Sequence, residues 1–169
     1  EIYQCDWSSD VCSSDLAGEP RAAAFSIPRL SYYAGRAIRH SGWYPDRQVR
    51  LFDRRRGHWS KRVIHESWRT NEGETVLRLS HDLEHYSVDS PEHHRRMIEE
   101  RYAPLGARQM LESGKTTNAL KAAVAGPAAF VRSYILKAGF LDGRPGYTIA
   151  RFAAEHAALK HRLLLEMQR

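Results

Sequence analysis

Between Arg39 and Phe52 the chain reads Arg-His-Ser-Gly-Trp-Tyr-Pro-Asp-Arg-Gln-Val-Arg-Leu-Phe, and Val63-Ile64-His65-Glu66 comes shortly after. A turn, flat aromatic faces, permanent cations and a carboxylate thus fall within fewer than thirty residues. That mixture suits a pocket that must hold a sugar and an anionic phosphate together. Gly42 and Pro45 punctuate the turn. Trp43 and Tyr44 offer apolar faces with polar edges, and Arg47 and Arg50 are charged forks suited to phosphate oxygens. Glu66 is the candidate general base, a role worth ~10²–10⁴ in rate.

Each assignment has a plainer competitor. Glu66 can pair with Arg62 or Arg69 on a solvated strand. Arg54-Arg55-Arg56 makes the whole segment basic, and a charge run is usually a solvated face. Trp43 and Tyr44 can equally fill a core beneath the turn. His81, His85, His93 and His94 lie close to Asp82 and Glu84, a density that raises a metal site. The alternation around them reads as strand or turn, however, which places His81 and His85 poorly for helical i, i+4 pairing.

The opening residues stand apart from the rest of the chain. The first methionine is Met97, and residues 1–16 are low in complexity, contain no Lys or Arg, and resemble the translation of a sequencing-adapter oligonucleotide. They are expected to be an artefact without a fold, set in front of a chain that lacks its natural beginning. Both cysteines, Cys5 and Cys12, belong to them, so no disulfide or cysteine-metal reading is available for the rest. The segment carries four acids and no base, so the formal net charge of +6 becomes +10 without it. A remainder so basic favours anionic partners: nucleic acid, phosphorylated sugars or an anionic membrane surface. No uninterrupted apolar run approaches the ~20 residues of a spanning helix.

From Ala22 to Tyr86 the pattern is short, aromatic and β-rich: 24–33, 47–52, 62–68 and 75–79 read as strands, with turns at Arg56-Gly57 and Asn71-Glu72-Gly73. After Ser87 it becomes helical. Ser90-Pro91-Glu92 is a helix start, and Pro104 is expected to kink or divide the helix. Lys115 to Leu141 carries four bases and no acid, and Gly126-Pro127 is expected to split it into two helices. Its apolar residues suit acyl chains while Lys121, Arg132 and Lys137 meet anionic headgroups; a packing helix with solvated lysines reads the same. A turn over 141–146 precedes a last helix from about Tyr147, with Ile149, Phe152, His156, Leu159 and Leu163 on one face.

The order and spacing of Ile27-Pro28-Arg29-Leu30-Ser31-Tyr32-Tyr33 with Gly35-Arg36, the run from His40 to Phe52, His65-Glu66, His85-Tyr86 and Gly139-Phe140-Leu141-Asp142-Gly143 resembles the C-terminal half of family 2 glycosyltransferases of the lipopolysaccharide core type. The resemblance runs from about Ala24 to the end. It implies an α/β GT-A fold, seen here as an α+β portion of short antiparallel strands followed by three or four amphipathic helices, with 17–89 on the acceptor side of the catalytic domain and 90–169 a helical, membrane-associated region. It implies an inverting bacterial enzyme, peripheral on the inner face of the cytoplasmic membrane, that moves a hexose or heptose from a nucleotide-sugar donor to a lipid-linked glycan acceptor. Glu66 would deprotonate the acceptor, while Trp43, Tyr44, Asp46, Arg47, Arg50, His65 and His85 would line the substrates, His85 at the floor near donor phosphates or metal. Such enzymes hold Mg²⁺ or Mn²⁺ through an Asp-x-Asp motif, and none occurs in this sequence. The fragment is therefore expected to be inactive alone. The competing classes are a basic nucleic-acid module, which no helix-turn-helix, RNP-like or zinc-finger pattern supports, and a noncatalytic membrane-associated scaffold.

Overall fold

A computed structural model of the protein describes residues 22–60 and 67–168. Within them the chain is α+β. The strands are β1 (Ala24–Tyr33), β2 (Arg36–Ala37), β3 (Asp46–Phe52), β4 (Gly57–Trp59), β5 (Trp68–Thr70), β6 (Val76–Arg78) and β7 (Leu83–Val88); the helices are α1 (Pro91–Met97), α2 (Ala103–Glu112), α3 (Ala119–Val131) and α4 (Gly143–Met167). Two compact units share these residues. One takes those up to Arg29 together with Asp46–Leu83, and the other takes Leu30–Pro45 and those from Glu84 onward.

In the strand unit, β1 pairs antiparallel with β3, from Ala24 opposite Phe52 to Arg29 opposite Asp46, with a register shift between Phe25 and Ser26. It pairs parallel with β6 at Ala24 to Ser26. β4 and β5 form a separate antiparallel pair that sets Trp59 opposite Trp68. Phe52 stacks on Trp68 at 4.0 Å between ring centroids, and Trp59 meets both rings edge-on. Gly57 is required there, because a Cβ would lie 2.5 Å from the Arg69 carbonyl oxygen. A 3₁₀ turn over Arg54–Arg56 is capped by Asp53, which accepts from the Arg55 backbone N–H at 2.9 Å. Hydrogen bonds from the Arg55 side chain and backbone hold the Asp53 carboxyl down at about 2. The turn expected at Asn71-Glu72-Gly73 is present, clipped by Glu74 on the Arg56 guanidinium at 2.8 and 2.5 Å.

In the second unit the end of β1 folds back on β2 through Ala34-Gly35, both at positive φ, the conformation a tight two-residue hairpin demands. β7 also pairs with β1. Helix α1 starts as the sequence predicts: Pro91 opens it and Ser90 Oγ accepts from the His93 N–H at 3.1 Å. Pro104 does not divide the helical path. A wide π-type turn over Ile98–Tyr102 leads directly into α2. This makes physical sense, since a proline removes one N–H and crowds the carbonyl four residues back, and a wider turn relieves both.

The second proline departs from expectation. Helix α3, capped by Asn118 Oδ1 on the Lys121 N–H at 2.8 Å, runs unbroken through Gly126-Pro127 and continues into a second π-type turn over Arg132–Leu136. Packing overrides the break. Gly126 lies flat on α4, where a Cβ would stand 3.2 Å from the Ala154 carbonyl and 3.5 Å from Ala158 Cβ, and Pro127 faces outward. The undivided stretch Ala119–Leu136 therefore reaches a length and a mean hydropathy, 1.2, sufficient to cross a membrane, where the sequence reading, split at Pro127, finds no such segment.

Helix α4 also begins earlier than Tyr147. A 3₁₀ turn over Gly139–Asp142 passes straight into it at Gly143, so the expected 141–146 turn is largely helical. Gly146 makes this possible, because any Cβ there would collide with the Gly139 carbonyl oxygen. The face predicted for α4 is the one buried. Ile149 packs with Tyr33, Ile38 and Val88, with Trp43 against them, while Phe152 packs with Ile98 and Ala103, flanked by Leu159 and Leu163. Burying a side chain of this size contributes roughly 1.5–3 kcal/mol, enough to order the helices around α4.

Candidate functional site

The turn at Arg39–Tyr44 is held by the far end of the chain. Asp142, its side chain 7% exposed, accepts from the Arg39 N–H at 3.2 Å and the His40 N–H at 2.9 Å and meets His40 Nδ1 at 2.9 Å. One residue on, the Ser41 N–H donates to the Lys137 carbonyl at 3.0 Å. Ser41 and Gly42 take positive φ, 59° and 79°, so the chain reverses sharply and sends Trp43 inward. Residues 30–45 thus belong with the helices rather than with the strands that come after them.

Behind this turn lies a cavity of about 480 Å³ within the helical unit. Ser41, Gly42 and Trp43 form one wall; His94, Ile98 and Tyr102 a second; Arg132, Ser133 and Lys137 a third; Ile149, Phe152, His156 and Lys160 of α4 the floor. Its volume is that of pockets that bury small ligands, roughly 300–1,000 Å³. Both π-type turns border it, one through Ile98 and Tyr102 and the other through Arg132 and Ser133. Widened turns of this kind recur at functional sites.

The electrostatics are one-sided. Three cations line the cavity, and no carboxylate does among the described residues. Burial, and then the neighbouring imidazoles of His156 and His93, push His94 down to about 4. Burial and Lys160 lower His156, and burial, Lys115 and Arg132 lower Lys160. The rings of Tyr33, Trp43 and Phe152 surround the His94 imidazole at 4.7 to 6.1 Å between centroids. A neutral, desolvated His94 has a testable consequence. Its unfolded pKa is near 6.5, above the folded value, so the unfolded chain binds the extra proton and stability falls as pH drops from about 6.5 to 4. The expected loss is about 2 kcal/mol once solvent screening is allowed for. Denaturant unfolding followed by helical circular dichroism should show it, and His94→Phe should remove most of the slope; an unchanged slope contradicts a buried neutral His94.

Of the described residues predicted to bind substrate, Trp43 alone lines this cavity. Tyr44 is half-buried in the same turn, with the Arg39 guanidinium 5.4 Å above its ring, and its peptide bond to Pro45 is cis. His85 lies on β7, half-buried, between Glu84 and Tyr86; Glu84 accepts from Tyr32 and Tyr86, whose rings stack at 4.6 Å. Asp46, Arg47 and Arg50 belong to the strand unit. Asp46 is ion-paired with Arg29, Arg47 is exposed and donates to the Leu79 carbonyl at 3.1 Å, and Arg50 is exposed on β3. His65 and Glu66 lie outside the described residues. The four-histidine cluster does not gather: His81 is exposed, His93 pairs with Asp89 and His94 turns into the cavity. Among the described residues no group of three His, Cys, Asp or Glu side chains is placed to hold a metal.

His94, His156, Ser133 and Lys160 are the cavity residues that the motif reading misses. The signal available was His156 within the apolar stripe of the last helix, together with the acid-free basic stretch that supplies Arg132 and Lys137. No family model matches the chain, and no solved structure matches it.

Proposed function

We propose that this chain is the acceptor-side part of an inverting GT-A glycosyltransferase that moves a hexose or heptose from a nucleotide-sugar to a lipid-linked glycan of the lipopolysaccharide core type. The observation that supports the reading is the placement of Trp43: a turn pinned by Asp142 carries an aromatic face to the wall of a cation-lined cavity with no carboxylate among its described lining residues. Aromatic faces stack on sugar rings and fixed cations neutralise phosphate, so the two together suit a phosphorylated glycan. The described residues offer no metal-holding group, so the Mg²⁺ or Mn²⁺ of the proposed enzyme is assigned to no position here. Glu66 is retained as general base on the strength of the sequence resemblance.

The partner assigned to the outside of the helical unit is an anionic membrane surface on the cytoplasmic side. Leu120, Val124, Val131, Ile135 and Leu136 recur along α3 and its extension with Leu120 71% and Leu136 73% exposed, and Phe140, Leu141 and Tyr147 are exposed nearby. Only 11% of the stretch Ala119–Leu136 is buried. With Lys121, Arg132 and Lys137 along it, the stretch has the make-up of a helix lying in the interface. The test is transfer of labelled sugar to lipid-extractable acceptor by the full coding product, with the isolated chain assayed against vesicles and oligonucleotides. Transfer, with binding of the chain to anionic vesicles, is the expected result. Steeply salt-dependent oligonucleotide binding without transfer would replace the reading with a nucleic-acid module, and vesicle binding without transfer would leave a noncatalytic scaffold.

A further inference from the structure

Four buried polar atoms without a hydrogen-bond partner among the described residues, Ser41 Oγ, Ser133 Oγ, His94 Nδ1 and His156 Nε2, belong to residues that all line the helical cavity. Desolvated polar groups are costly when unmatched, and four around one space mark it as built for polar contents. The surrounding charge selects their sign. Lys160 is half-buried in the floor, Arg132 and Lys137 stand exposed at the rim, and the described lining holds no carboxylate. Burial, and then repulsion from Lys115 and Arg132, already disfavours the Lys160 ammonium. An anion would relieve that repulsion.

The backbone keeps the space open. A Cβ at Gly106 would lie 3.0 Å from Lys160 Cδ and 4.0 Å from His156 Nε2, so the glycine of α2 leaves room for both side chains. The remaining walls, Trp43, Ile98, Ile149 and Phe152, are apolar, and the cavity has space for far more than a bare ion. We propose that this cavity is a phosphate-ester site, in which Lys160, Arg132, Lys137 and the hydroxyls of Ser41 and Ser133 hold the phosphoryl oxygens and the esterified body rests on Trp43 and Phe152. The assignment stands whether or not the chain belongs to a sugar transferase. A soluble phosphate ester or pyrophosphate and a lipid-borne phosphate present the same oxygens.

The test uses the whole chain with inorganic pyrophosphate, and with phosphatidylcholine vesicles containing or lacking phosphatidic acid. Pyrophosphate is expected to raise the thermal midpoint saturably, beyond sodium chloride at equal ionic strength, and Lys160→Met to weaken half-saturation about tenfold or more. Without ligand, Lys160→Met is expected to leave the midpoint unchanged or raise it, because it removes a repelled, desolvated ammonium. If only the phosphatidic-acid vesicles bind beyond the lipid control, and Lys160→Met abolishes that excess, the source is a lipid headgroup. A second readout needs no variant: pyrophosphate should shift the imidazole resonances of His94 and His156 while leaving His58 of the strand unit in place. Equal responses from wild type and Lys160→Met to pyrophosphate and to phosphatidic-acid vesicles alike, or no response to either beyond its control, would overturn the proposal.

Discussion

Asp142→Ala is expected to lower the stability of the helical unit by about 3 kcal/mol, the cost of losing charge-assisted hydrogen bonds to two backbone N–H groups and an imidazole. The effect is large because the partners have nowhere else to turn. The Arg39 and His40 N–H groups point at a carboxylate whose side chain is almost fully covered, and the next two residues sit at positive φ, a conformation the surroundings must enforce. Asp142→Asn keeps one acceptor oxygen and the side-chain volume, so its cost should be nearer 1 kcal/mol, on the order of one hydrogen bond. Guanidinium unfolding followed at the helical band measures both. Hydrogen exchange adds the local signature: the Arg39 and His40 amides should lose protection in Asp142→Ala while those in the middle of α4 keep theirs relative to global unfolding. An Asp142→Ala variant within about 0.5 kcal/mol of wild type, as for an ordinary surface change, would show that the carboxylate does not hold the turn.

What the sequence made legible was local. Ser90-Pro91-Glu92 marked a helix start because cap chemistry acts over four residues, and Ile149, Phe152, Leu159 and Leu163 marked the buried face of α4 because a helix buries one stripe. Pro127 misled for the opposite reason. Whether a proline ends a helix depends on what packs beside it, and Gly126 seated on Ala154 and Ala158 is a contact between segments about thirty residues apart. The Arg39–Tyr44 turn and the Gly139–Gly143 run were both singled out, yet nothing in either spelling said that they hydrogen-bond to one another across a separation of 102 residues. The cavity was hidden in the same way. His94 reads as one of a dense histidine cluster until the fold turns it toward Phe152, and Lys160 belongs to no motif until α2 lays a glycine against it.

On the proposed sugar-transferase reading, Glu66→Gln is expected to slow sugar transfer by ~10²–10⁴, the usual contribution of a positioned general base. Inversion requires a proton to leave the acceptor hydroxyl as the nucleotide departs from the opposite side of the anomeric carbon. Glutamine preserves the shape of the side chain and its reach but cannot accept that proton at neutral pH. Groups that only bind the donor are untouched, so the loss should fall on turnover and leave donor affinity nearly as it was. If Glu66 instead serves an ion pair with Arg62 or Arg69, the substitution should move stability by no more than about 1 kcal/mol and leave transfer intact.

The paired measurement of turnover and donor affinity in wild type and Glu66→Gln, with labelled nucleotide-sugar and a lipid-linked acceptor, therefore bears most directly on the reading of this chain as part of a sugar transferase. Turnover lower by at least about a hundredfold with unchanged donor binding is the predicted result. Wild-type turnover in the variant, or no transfer by the wild-type protein at all, would contradict it.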